Sequence, residues 1–359
     1  MRVIISAGGT GGHIYPALAI IDKIKEKEPN SEFLYIGTHN RMEKDIVPKK
    51  GIPYKSIEIY GFNRKHLLKN FNVLKCLIKA KKDVRKIIKD FNPDVVIGVG
   101  GYVTYPVITE AKKMGYKTFI HEQNSIPGKA NAYMEKYADI IGVSFESSKK
   151  YFKTNKVEFT GNPCSENSLK EKAASKKEFG LADNKKLVLF VMGSLGSSKV
   201  NDYLFKLVPK FKDKDYEVVI VTGYNLYTDI DLKNIPKNVF VFPYIDNLVR
   251  LMKKTDVIVS RAGASTLSEL TTLNLPSILV PSPYVANNHQ YINAMDFKEN
   301  GACLVIEEKD LNDELVLKDI DLLLNDEEVR EKMKKSLEKL SVKDSATKIY
   351  NLLKELVGR

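Results

Sequence analysis

Short apolar runs alternate with amphipathic segments along the first half of the chain. The runs predict strands because apolar residues cluster over four to seven positions and turn residues bound them. An amphipathic segment at Tyr15–Glu28, with Pro16 in its first turn, predicts the first helix. This alternation is typical of a parallel sheet that is covered on both faces. The predicted strands are Val3–Ser6, Glu32–Gly37, Tyr54–Ile59, Asp94–Val99, Thr118–His121, Ile140–Ser144 and Val157–Thr160.

The second half of the chain repeats this plan. Three helical segments, at about 315–324, 327–340 and 346–356, end the chain. We place a linker near 162–168 and a short helix at about Glu171–Phe179 after it. The predicted strands here are Leu187–Met192, Glu217–Thr222, Val239–Phe242, Asp256–Ser260, Ser277–Pro281 and Ala302–Ile306. The pattern therefore predicts an α/β protein of two doubly wound domains, 1–163 and 164–343, with a helix at about 344–359 packing back on the first.

A glycine-rich loop, Ser6-Ala7-Gly8-Gly9-Thr10-Gly11-Gly12-His13, follows the first predicted strand. Glycine backbones can approach a ligand closely, and the N-terminus of the following helix favours a phosphate. The spacing matches neither the dinucleotide fingerprint nor the P-loop. His13 is the residue of this loop that is suited to proton transfer. The alternative is a tight turn between strand and helix with a surface histidine.

Ligands of doubly wound sheets bind at the carboxyl ends of the strands, so the other loops at such ends are further candidates. The helix that begins near Ser265 and Thr266 would offer an anion site, and Glu269 would accept hydrogen bonds from vicinal hydroxyls such as those of a ribose. Glu269 is equally well explained as an acid that complements the helix dipole. These loops are Gly98–Tyr102, His121–Asn124, Gly193–Ser198, Arg261–Glu269 and Pro283–Gln290.

Three side chains in these loops leave more than one interpretation open. Gln290 and Asn293 have amide groups suited to sugar hydroxyls. His289 is as readily a loop histidine as a ligand. For His121, a buried histidine bonded to the backbone is favoured over a catalytic base.

Composition narrows the class of protein. The 359 residues include 43% hydrophobic and 28% charged residues, which is typical of a globular protein. No apolar run reaches 18 residues, and the N-terminus has no signal-peptide pattern, so we expect a cytoplasmic protein. Three scattered cysteines predict neither disulfides nor a zinc site, and no other arrangement suggests a metal. The net charge of +12 favours an anionic partner.

Much of the positive charge lies in one segment, Phe62–Lys89. Ten lysine or arginine residues stand between Phe62 and Asp90, against two acids, and leucines and isoleucines alternate with them. Such a segment can lie on an anionic membrane surface, and the alternative is an ordinary surface helix. Nucleic acid is not expected, because no reader motif is present and no aromatic residues alternate with the basic ones for base stacking.

Taken together, the motifs resemble those of the MurG family along nearly the whole chain. MurG proteins are glycosyltransferases of the two-domain GT-B fold, in which two Rossmann-like domains face each other across a cleft. They move N-acetylglucosamine from UDP-N-acetylglucosamine to lipid I, forming lipid II for peptidoglycan. The resemblance rests on Gly8–His13 with Pro16, Gly100–Tyr102, His121–Asn124, Gly161–Pro163, Gly193-Ser194, Arg261–Thr266 with Glu269, and His289-Gln290 with Asn293-Ala294.

The resemblance implies a role for individual residues. His13 is implied as the general base for the 4-hydroxyl of the acceptor, in an inverting single displacement without an essential metal ion or other cofactor. Glu269 would bind the ribose, Ile245 uracil, and Asn124 and Gln290 the sugar. The remaining implied substrate contacts, mostly to phosphate, are Thr10, Gly11, Gly12, Ser165, Ser194, Ala264, Ser265, Thr266, Leu267, Ser268 and His289.

Two positions depart from the family pattern. Cys164-Ser165 follows Gly161-Asn162-Pro163 where many members have a small residue and then arginine, so a cation near the diphosphate is missing. Leu195 stands where glutamine is frequent. Neither change removes the implied base.

The resemblance also implies a location and partners. Lipid I lies in the inner leaflet, so the first domain would hold the acceptor at the cytoplasmic face of the cell membrane, with Phe62–Lys89 on anionic lipids. Other cell-wall synthesis proteins are possible partners, and the process serves cell shape and division. Two alternatives stay open: a GT-B enzyme for another lipid acceptor, and a UDP-sugar-binding protein without activity. An epimerase is disfavoured because the loops hold no acidic cluster for the C2 position of the sugar.

Overall fold

The chain folds into two compact units, Met1–Glu166 with Val342–Arg359, and Asn167–Ser341. The computed structural model describes residues 1–61, 70–193, 198–223 and 235–358. We refer to the units as unit 1 and unit 2. Both are α/β units built on a parallel sheet, as the sequence predicts.

Unit 1 contains a sheet of seven parallel strands in the order β3-β2-β1-β4-β5-β6-β7. Strand β1 lies between β2 and β4, so the chain winds outward in both directions from it. The loops that follow β1 and β4 therefore meet at the carboxyl edge, where ligands of such sheets bind. The strands are β1 (Arg2–Ser6), β2 (Glu32–Thr38), β3 (Tyr54–Ile57), β4 (Val95–Gly98), β5 (Lys117–Glu122), β6 (Ile140–Val143) and β7 (Val157–Phe159).

Helices cover both faces of this sheet. One apolar cluster joins α1 and the C-terminal helix to one face, and a second cluster joins α3 and α4 to the other. The inner strands β1, β2, β4, β5 and β6 are largely buried, which explains their continuous apolar runs, whereas the edge strands β3 and β7 are partly exposed. The helices are α1 (Gly11–Lys27), α2 (Glu43–Lys49), α3 (Asn70–Phe91), α4 (Thr104–Lys113), α5 (Lys129–Met134) and α6 (Pro163–Lys170).

Unit 2 contains six parallel strands in the order β10-β9-β8-β11-β12-β13. Here the winding reverses between β8 and β11, so the loops after these two strands meet at the carboxyl edge. The strands are β8 (Leu187–Val191), β9 (Glu217–Val221), β10 (Val239–Phe242), β11 (Val257–Ser260), β12 (Ser277–Leu279) and β13 (Leu304–Val305). The helices are α7 (Ser198–Leu207), α8 (Val249–Met252), α9 (Ala264–Leu273), α10 (His289–Glu299), α11 (Asp313–Asn325) and α12 (Glu327–Leu340).

The last helix, α13 (Ser345–Leu356), returns to unit 1 and packs on α1. Ile349 and Leu353 are fully buried in the same apolar cluster as the inner face of α1. The Tyr350 hydroxyl donates a hydrogen bond of 3.0 Å to Glu28 at the end of α1. The core of unit 1 thus contains residues from both ends of the chain.

Two predicted boundaries differ from the structure. Helix α1 begins at Gly11, four residues before the predicted start at Tyr15, so His13 lies within its first turn. The predicted linker at 162–168 is largely helix α6. The Asn162 side chain accepts the Cys164 N–H at 3.0 Å, and Pro163 suits the first helical position.

The helix predicted at Glu171–Phe179 is wrong apart from one 3-10 turn, Lys176–Phe179. The backbone before it is used elsewhere, since the Ala174 N–H donates to the carbonyl oxygen of Arg250 at 2.9 Å. The Ser175 hydroxyl accepts the Lys177 N–H, and the Glu178 carboxylate accepts the Ser175 N–H in return. Gly180 ends the turn with a φ of 75°. Amphipathic spacing alone does not reveal these competing bonds.

Candidate active site

The two glycine-containing loops of unit 1 contact each other directly. The Gly8 N–H donates a hydrogen bond of 3.2 Å to the carbonyl oxygen of Gly100. Gly101 has a φ of 88°, and a Cβ atom there would overlap the carbonyl oxygen of Gly8. Only glycine combines this backbone conformation with so close an approach. The loops after β1 and β4 therefore form one interlocked structure.

Among the described residues, one side-chain hydrogen bond holds His13 against these loops. Its Nδ1 lies 3.0 Å from the carbonyl oxygen of Gly8. A carbonyl oxygen can only accept, so in the neutral ring Nδ1 carries the proton and Nε2 keeps its lone pair. A Cβ atom at Gly100 would lie 2.6 Å from His13 Cδ2, so the ring occupies space that this glycine leaves. The half-buried ring is thus fixed in the tautomer that a general base needs.

The first turn of α1 presents backbone donors beside His13. Thr10 stands at the N-cap with an extended backbone, and its side chain caps nothing. The N–H groups of His13 and Ile14 donate to the carbonyl oxygen of Thr10. No described residue accepts from the N–H groups of Gly11 and Gly12. Free N–H groups at a helix N-terminus suit an anion such as a phosphate.

Asn124 lies at the same edge, after β5. Its main-chain N–H and its side-chain amide both donate to Glu122 Oε1, at 2.9 and 3.1 Å. The other oxygen of Glu122 accepts from the Gly128 N–H and from Asn131. Asn124 is half-buried, and Glu122 fixes the direction of its amide.

His121 is the buried, backbone-bonded histidine that the sequence favours. Its Nε2 lies 3.0 Å from the carbonyl oxygen of Gly161, and Gln123 bonds to its Nδ1 at 3.1 Å. Burial lowers the pKa of His121 to about 4, against the smaller opposing effect of the Gly161 bond. The ring is therefore neutral at pH 7, and both of its nitrogens are occupied.

Ser165 has a structural environment instead of the expected ligand-facing one. The residue is 2% exposed, and its hydroxyl donates to the carbonyl oxygen of Asn162 at 2.7 Å. Its Oγ also lies 3.0 Å from the Oγ of Ser345. The bond to Ser345 ties α6 to the start of α13, which gives the small hydroxyl residue at this position a structural role.

Helix α9 of unit 2 provides a second set of free backbone donors. Gly263 stands at its N-cap without a side-chain cap. The described residues offer no acceptor to the N–H groups of Ala264, Ser265 and Thr266. The Ser265 hydroxyl oxygen is also buried without a partner. The beginning of this helix therefore has both main-chain and side-chain donors available for an anion.

Two expected contacts on the same helix face the protein interior. Leu267 is fully buried among apolar residues. The Ser268 hydroxyl donates to the carbonyl oxygen of Ala264 at 2.9 Å, one turn back. Their side chains stabilise α9, so only their main chains are left for the predicted contacts.

Glu269 differs from its neighbours because no described residue donates a hydrogen bond to its carboxylate. It lies one turn further along α9 than Ser265 and is half-buried by accessible surface. The surrounding protein atoms nevertheless desolvate the carboxylate, and this raises the pKa of Glu269 from its ordinary value of 4.5 to about 7. An unpartnered carboxylate of this kind can accept hydrogen bonds from a ligand.

The other predicted contacts of unit 2 lie in the first turn of α10, which contains His289 and Gln290, and in the loop after β10, which contains Ile245. Gln290 Oε1 accepts the Ser282 N–H at 2.9 Å, which directs the amide NH₂ group of Gln290 elsewhere. His289 Nδ1 lies 2.8 Å from the carbonyl oxygen of Ala286 at the start of α10. The Ile245 side chain is buried in the turn after β10. Ser194 lies outside the described residues.

Sequence reasoning missed two carboxylates that hold these loops in place, the half-buried Glu308 and the fully buried Glu43. In unit 2, Glu308 pairs with Arg261 at 2.7 Å, and the guanidinium also donates to the carbonyl oxygen of Val280 at 3.0 Å. In unit 1, Glu43 accepts hydrogen bonds from Gly9 and Thr38. Neither belongs to a spacing motif, because its partners are distant in sequence. No group of three or more histidine, cysteine or acidic residues in the described parts of the chain could hold a metal ion.

Helix α3 carries most of the described part of the basic segment Phe62–Lys89; residues 62–69 lie outside the described residues. Its outer face has exposed lysines together with two exposed apolar side chains, Leu74 at 48% and Ile78 at 64%. Arg85 on this helix pairs with the buried Glu110 of α4 at 2.5 Å. Among the described residues, none of the helices is both long and apolar enough to cross a bilayer.

Comparison with known proteins identifies the family. The model of the Glycosyltransferase family 28 N-terminal domain matches residues 3–143, and that of the C-terminal domain matches residues 187–349. A Bacillus cereus protein named UDP-N-acetylglucosamine–N-acetylmuramyl-(pentapeptide) pyrophosphoryl-undecaprenol N-acetylglucosamine transferase 1 is 44% identical over 364 residues, covering 100% of both chains. The transferase of the same name from Bacillus licheniformis is 43% identical over 361 residues, covering 99% of both chains.

Solved structures support the fold. The crystal structure of Acinetobacter baumannii MurG has a TM-score of 0.76 at 24% identity and covers 99% of both chains. A UDP-GlcNAc 2-epimerase from Neisseria meningitidis has a TM-score of 0.71 at 17% identity over 99% of this chain and 100% of the epimerase. At such identities the likeness shows the fold alone, and it confirms the predicted pair of Rossmann-like domains. With both family 28 domain models matched in order and full-length relatives above 40% identity, the chain belongs to the MurG family of glycosyltransferases.

Proposed function

We propose that the chain is the N-acetylglucosaminyltransferase that converts lipid I to lipid II in peptidoglycan synthesis. The donor is UDP-N-acetylglucosamine, and the acceptor is the 4-hydroxyl of the N-acetylmuramoyl residue of lipid I. The names of the full-length relatives support this pair of substrates. The single observation that supports the chemistry is His13, whose Nε2 lone pair is left available by the bond from Nδ1 to Gly8.

The proposed step is one inverting displacement. The acceptor oxygen attacks the anomeric carbon of N-acetylglucosamine while Nε2 of His13 takes the hydroxyl proton. The bond between that carbon and the diphosphate breaks, and UDP leaves with the bonding electron pair. Histidine suits this role because its neutral form is available near pH 7.

The substrate contacts divide between the two units. In unit 1, Thr10 and the free N–H groups of Gly11 and Gly12 would bind a pyrophosphate, and Asn124 would contact the donor sugar. In unit 2, the beginning of α9 would bind the donor diphosphate, and Glu269 the ribose hydroxyls. Gln290 would use its amide NH₂ group on the sugar, and the main chain of Ile245 would lie against uracil. Roles for Ser194 and His289 are carried over from the family resemblance alone.

We further propose that the reaction requires no metal ion. Negative charge develops on the diphosphate as UDP leaves, and preorganised N–H groups at a helix N-terminus can stabilise it. The available donors at Ala264–Thr266 support this proposal.

Lipid I would bring the enzyme to the cytoplasmic face of the cell membrane as a peripheral protein. The outer face of α3 supports this location, since it combines exposed lysines with Leu74 and Ile78. Lysines would attract anionic lipids, and the apolar side chains would enter the interfacial region.

The direct test is transfer of labelled N-acetylglucosamine from UDP-N-acetylglucosamine to a short-chain lipid I analogue. We expect His13→Ala to reduce transfer roughly 100-fold or more, since general-base catalysis typically contributes about 10²–10⁴. His39→Ala is the control, because this exposed histidine of the same unit packs on Tyr60 and should leave the rate within about threefold of wild type.

Transfer that survives His13→Ala would exclude His13 as the base and leave the function standing. A wild-type enzyme that binds UDP but makes no lipid II would contradict the function itself.

A further inference from the structure

A buried carboxylate lies beneath the glycine loop of unit 1. Glu43, the first residue of α2, is 0% exposed. Its Oε2 accepts the Gly9 N–H at 3.2 Å. Its Oε1 accepts the Thr38 N–H at 3.0 Å and the Thr38 hydroxyl at 2.7 Å. One side chain thus joins the loop after β1 to the carboxyl end of β2.

Two glycines leave the space that this carboxylate occupies. A Cβ atom at Gly8 would lie 2.7 Å from Glu43 Oε1, and one at Gly37 would lie 2.7 Å from Glu43 Cγ. Any side chain at either position would displace Glu43. The fit between loop, strand end and carboxylate is therefore close on two sides.

Glu43 forms no ion pair with a described lysine, arginine or histidine. Buried carboxylates usually have a cationic partner, because desolvation of the charge is costly. Here three donors from two residues stabilise the carboxylate. A buried carboxylate without a cationic partner contributes little to the free energy of folding, which points to a role in fixing the loop.

The fixed loop in turn holds His13. Gly8 accepts the Nδ1–H of His13 through its carbonyl oxygen and donates its own N–H to Gly100. Its missing side chain leaves room for the Glu43 carboxylate. Glu43 also accepts the Gly9 N–H, so this N–H group is not available to a ligand. The N–H groups of Gly11 and Gly12 stay available. The direction of the Gly8 carbonyl decides which nitrogen of His13 carries the proton.

We propose that Glu43 is a positioning residue for the transfer reaction: its carboxylate sets the conformation of Gly8–Thr10 and thereby the tautomer and orientation of His13. The kinetic part of this inference rests on the proposed function. Glu43 does not touch substrate or the reacting atoms. Its effect passes through the Gly8 carbonyl to the base.

Glu43→Gln is the central variant, because it keeps shape and removes one acceptor. Whichever way the amide turns, its NH₂ group meets the N–H of Gly9 or of Thr38, and one of these bonds is lost. We expect kcat to fall about 10- to 100-fold, as a small misplacement of a reacting group can do. The KM for UDP-N-acetylglucosamine should stay within about twofold, since the proposed donor contacts lie mostly in unit 2.

The tautomer of His13 distinguishes the two roles, because a residue that only stabilises the fold would not change it. Two-bond ¹⁵N–¹H spectra of histidine-labelled protein distinguish Nδ1–H from Nε2–H, and the signal missing in His13→Ala identifies the residue. We expect wild type to show Nδ1–H and Glu43→Gln to show a mixture. The buried His121 serves as an internal reference that should not change.

Glu110→Gln is the matched control, because Glu110 is also 0% exposed and in unit 1 but pairs with Arg85 of α3 and has no bond to the glycine loop. It should lower the melting temperature without changing the His13 tautomer. If Glu43→Gln fails to fold, Thr38→Val decides the matter, since it removes one donor to the carboxylate and keeps Glu43. It should lower kcat about threefold and shift the tautomer in the same direction.

A folded Glu43→Gln variant with wild-type kcat and a pure Nδ1–H signal would overturn the proposal. If only Thr38→Val folds, an unchanged kcat and an unchanged His13 tautomer in that variant would overturn it. The spectra need no substrate. A wild type that makes no lipid II would therefore contradict the proposed function, while the tautomer would still decide whether Glu43 controls His13.

Discussion

The carboxylate of Glu269 combines burial with the absence of a hydrogen-bond donor among the described residues. Desolvation raises the pKa of Glu269 to about 7, so near neutral pH roughly half of the molecules carry the charge. Vicinal ribose hydroxyls donate more strongly to a carboxylate than to a neutral acid. Binding of the donor should therefore favour the ionised form and release a proton from the protonated fraction.

This predicts that donor affinity depends on pH. Below the raised pKa the acid is protonated, so affinity should fall as the pH falls, by up to about tenfold between pH 8 and pH 6. Glu269→Gln should bind more weakly and lose this dependence. Calorimetric titration with UDP-N-acetylglucosamine measures it cleanly, because its diphosphate diester does not titrate in this range.

Glu299→Gln, at an exposed position near the end of α10, is the control and should keep the wild-type pH profile. Equal slopes for wild type and Glu269→Gln would contradict the assignment of Glu269 to the ribose.

At the residue scale, site residues that belong to a short local motif could be predicted from the sequence. The glycines around His13 and the environment of His121 are examples of this kind. Glu43 could not be predicted, because its partners Gly9 and Thr38 come together only when β1 and β2 pair. Ser165 and Ser268 look like ligand contacts in sequence, and long-range or one-turn hydrogen bonds take their hydroxyls instead.

At the scale of elements, α3 has an outer face that the core of unit 1 does not require. Val84 and Ile88 are buried against the sheet, whereas Leu74 and Ile78 project outward, one turn apart. Exposed apolar residues surrounded by lysines favour an interfacial helix over an ordinary surface helix. This arrangement leads to a prediction about membranes.

Charge reversal of Lys75, Lys79 and Lys82 to glutamate should weaken binding to vesicles that contain anionic lipid by about 100-fold or more. Each lysine near such a surface contributes about 1 kcal/mol, and reversal adds repulsion. Co-sedimentation with vesicles of graded phosphatidylglycerol content measures the effect, and added salt should reduce the wild-type binding.

The matched control reverses Lys332, Lys335 and Lys339, three exposed lysines on α12 of unit 2, which gives the same net charge. Equal losses in the two triple variants would mean that net charge alone drives binding and that α3 is not the membrane face.

Strand positions were easier to predict than helix boundaries. Every predicted strand overlaps an observed one, because strands buried on both faces leave continuous apolar runs. Helix α1 starts early because Gly11 and Gly12 adopt helical backbone angles that their low helix propensity does not suggest. The stretch before Lys176 is not helical because its backbone bonds to Arg250, a partner far along the chain.

On the scale of the whole molecule, the chain leaves and re-enters unit 1 through two adjacent segments that are tied together. Buried Lys23 of α1 pairs with Glu166 at 2.6 Å, and Glu166 also accepts the N–H and the hydroxyl of Thr347. Burial acts to raise the pKa of Glu166, but the bonds from Lys23 and Thr347 together outweigh it, so its pKa lies below the ordinary value. Ser345 adds a bond of 2.7 Å to the carbonyl oxygen of Asn162.

Glu166→Gln should therefore lower the free energy of unfolding of unit 1 by about 2 kcal/mol, since buried Lys23 loses the carboxylate at 2.6 Å and keeps only its pair with the more exposed Glu26. The loss should be complete at pH 7. It should shrink as the pH falls from about 4.5, the ordinary pKa, through the lower pKa of Glu166 in the folded protein, because the wild-type carboxylate is then protonated and loses the same interaction. Chemical denaturation with a probe in unit 1 measures the difference.

Glu32→Gln provides the comparison, because the Glu32 pair with Arg2 is exposed and should contribute less than about 1 kcal/mol. Equal effects of the two substitutions would show that the buried pair contributes no more to the free energy of unfolding than the exposed pair does.

The repeated pattern of strand, glycine loop and helix predicted the two-domain architecture, because each half of the chain forms its own sheet. The division between Glu166 and Asn167, inside α6, was harder to predict from the sequence. A polar, lysine-rich stretch resembles a linker, and here its first residues are buried by α13, which lies some 180 positions further along the chain.

The return of α13 to unit 1 has a consequence for synthesis of the protein. Ile349 and Leu353 complete the apolar cluster that holds α1, the helix that carries His13. These residues follow all of unit 2 along the chain and so leave the ribosome after it. A nascent chain can thus complete the donor-binding unit while the helix bearing the catalytic histidine still exposes an apolar face to solvent. The proposed catalytic centre is therefore completed only after α13 has emerged.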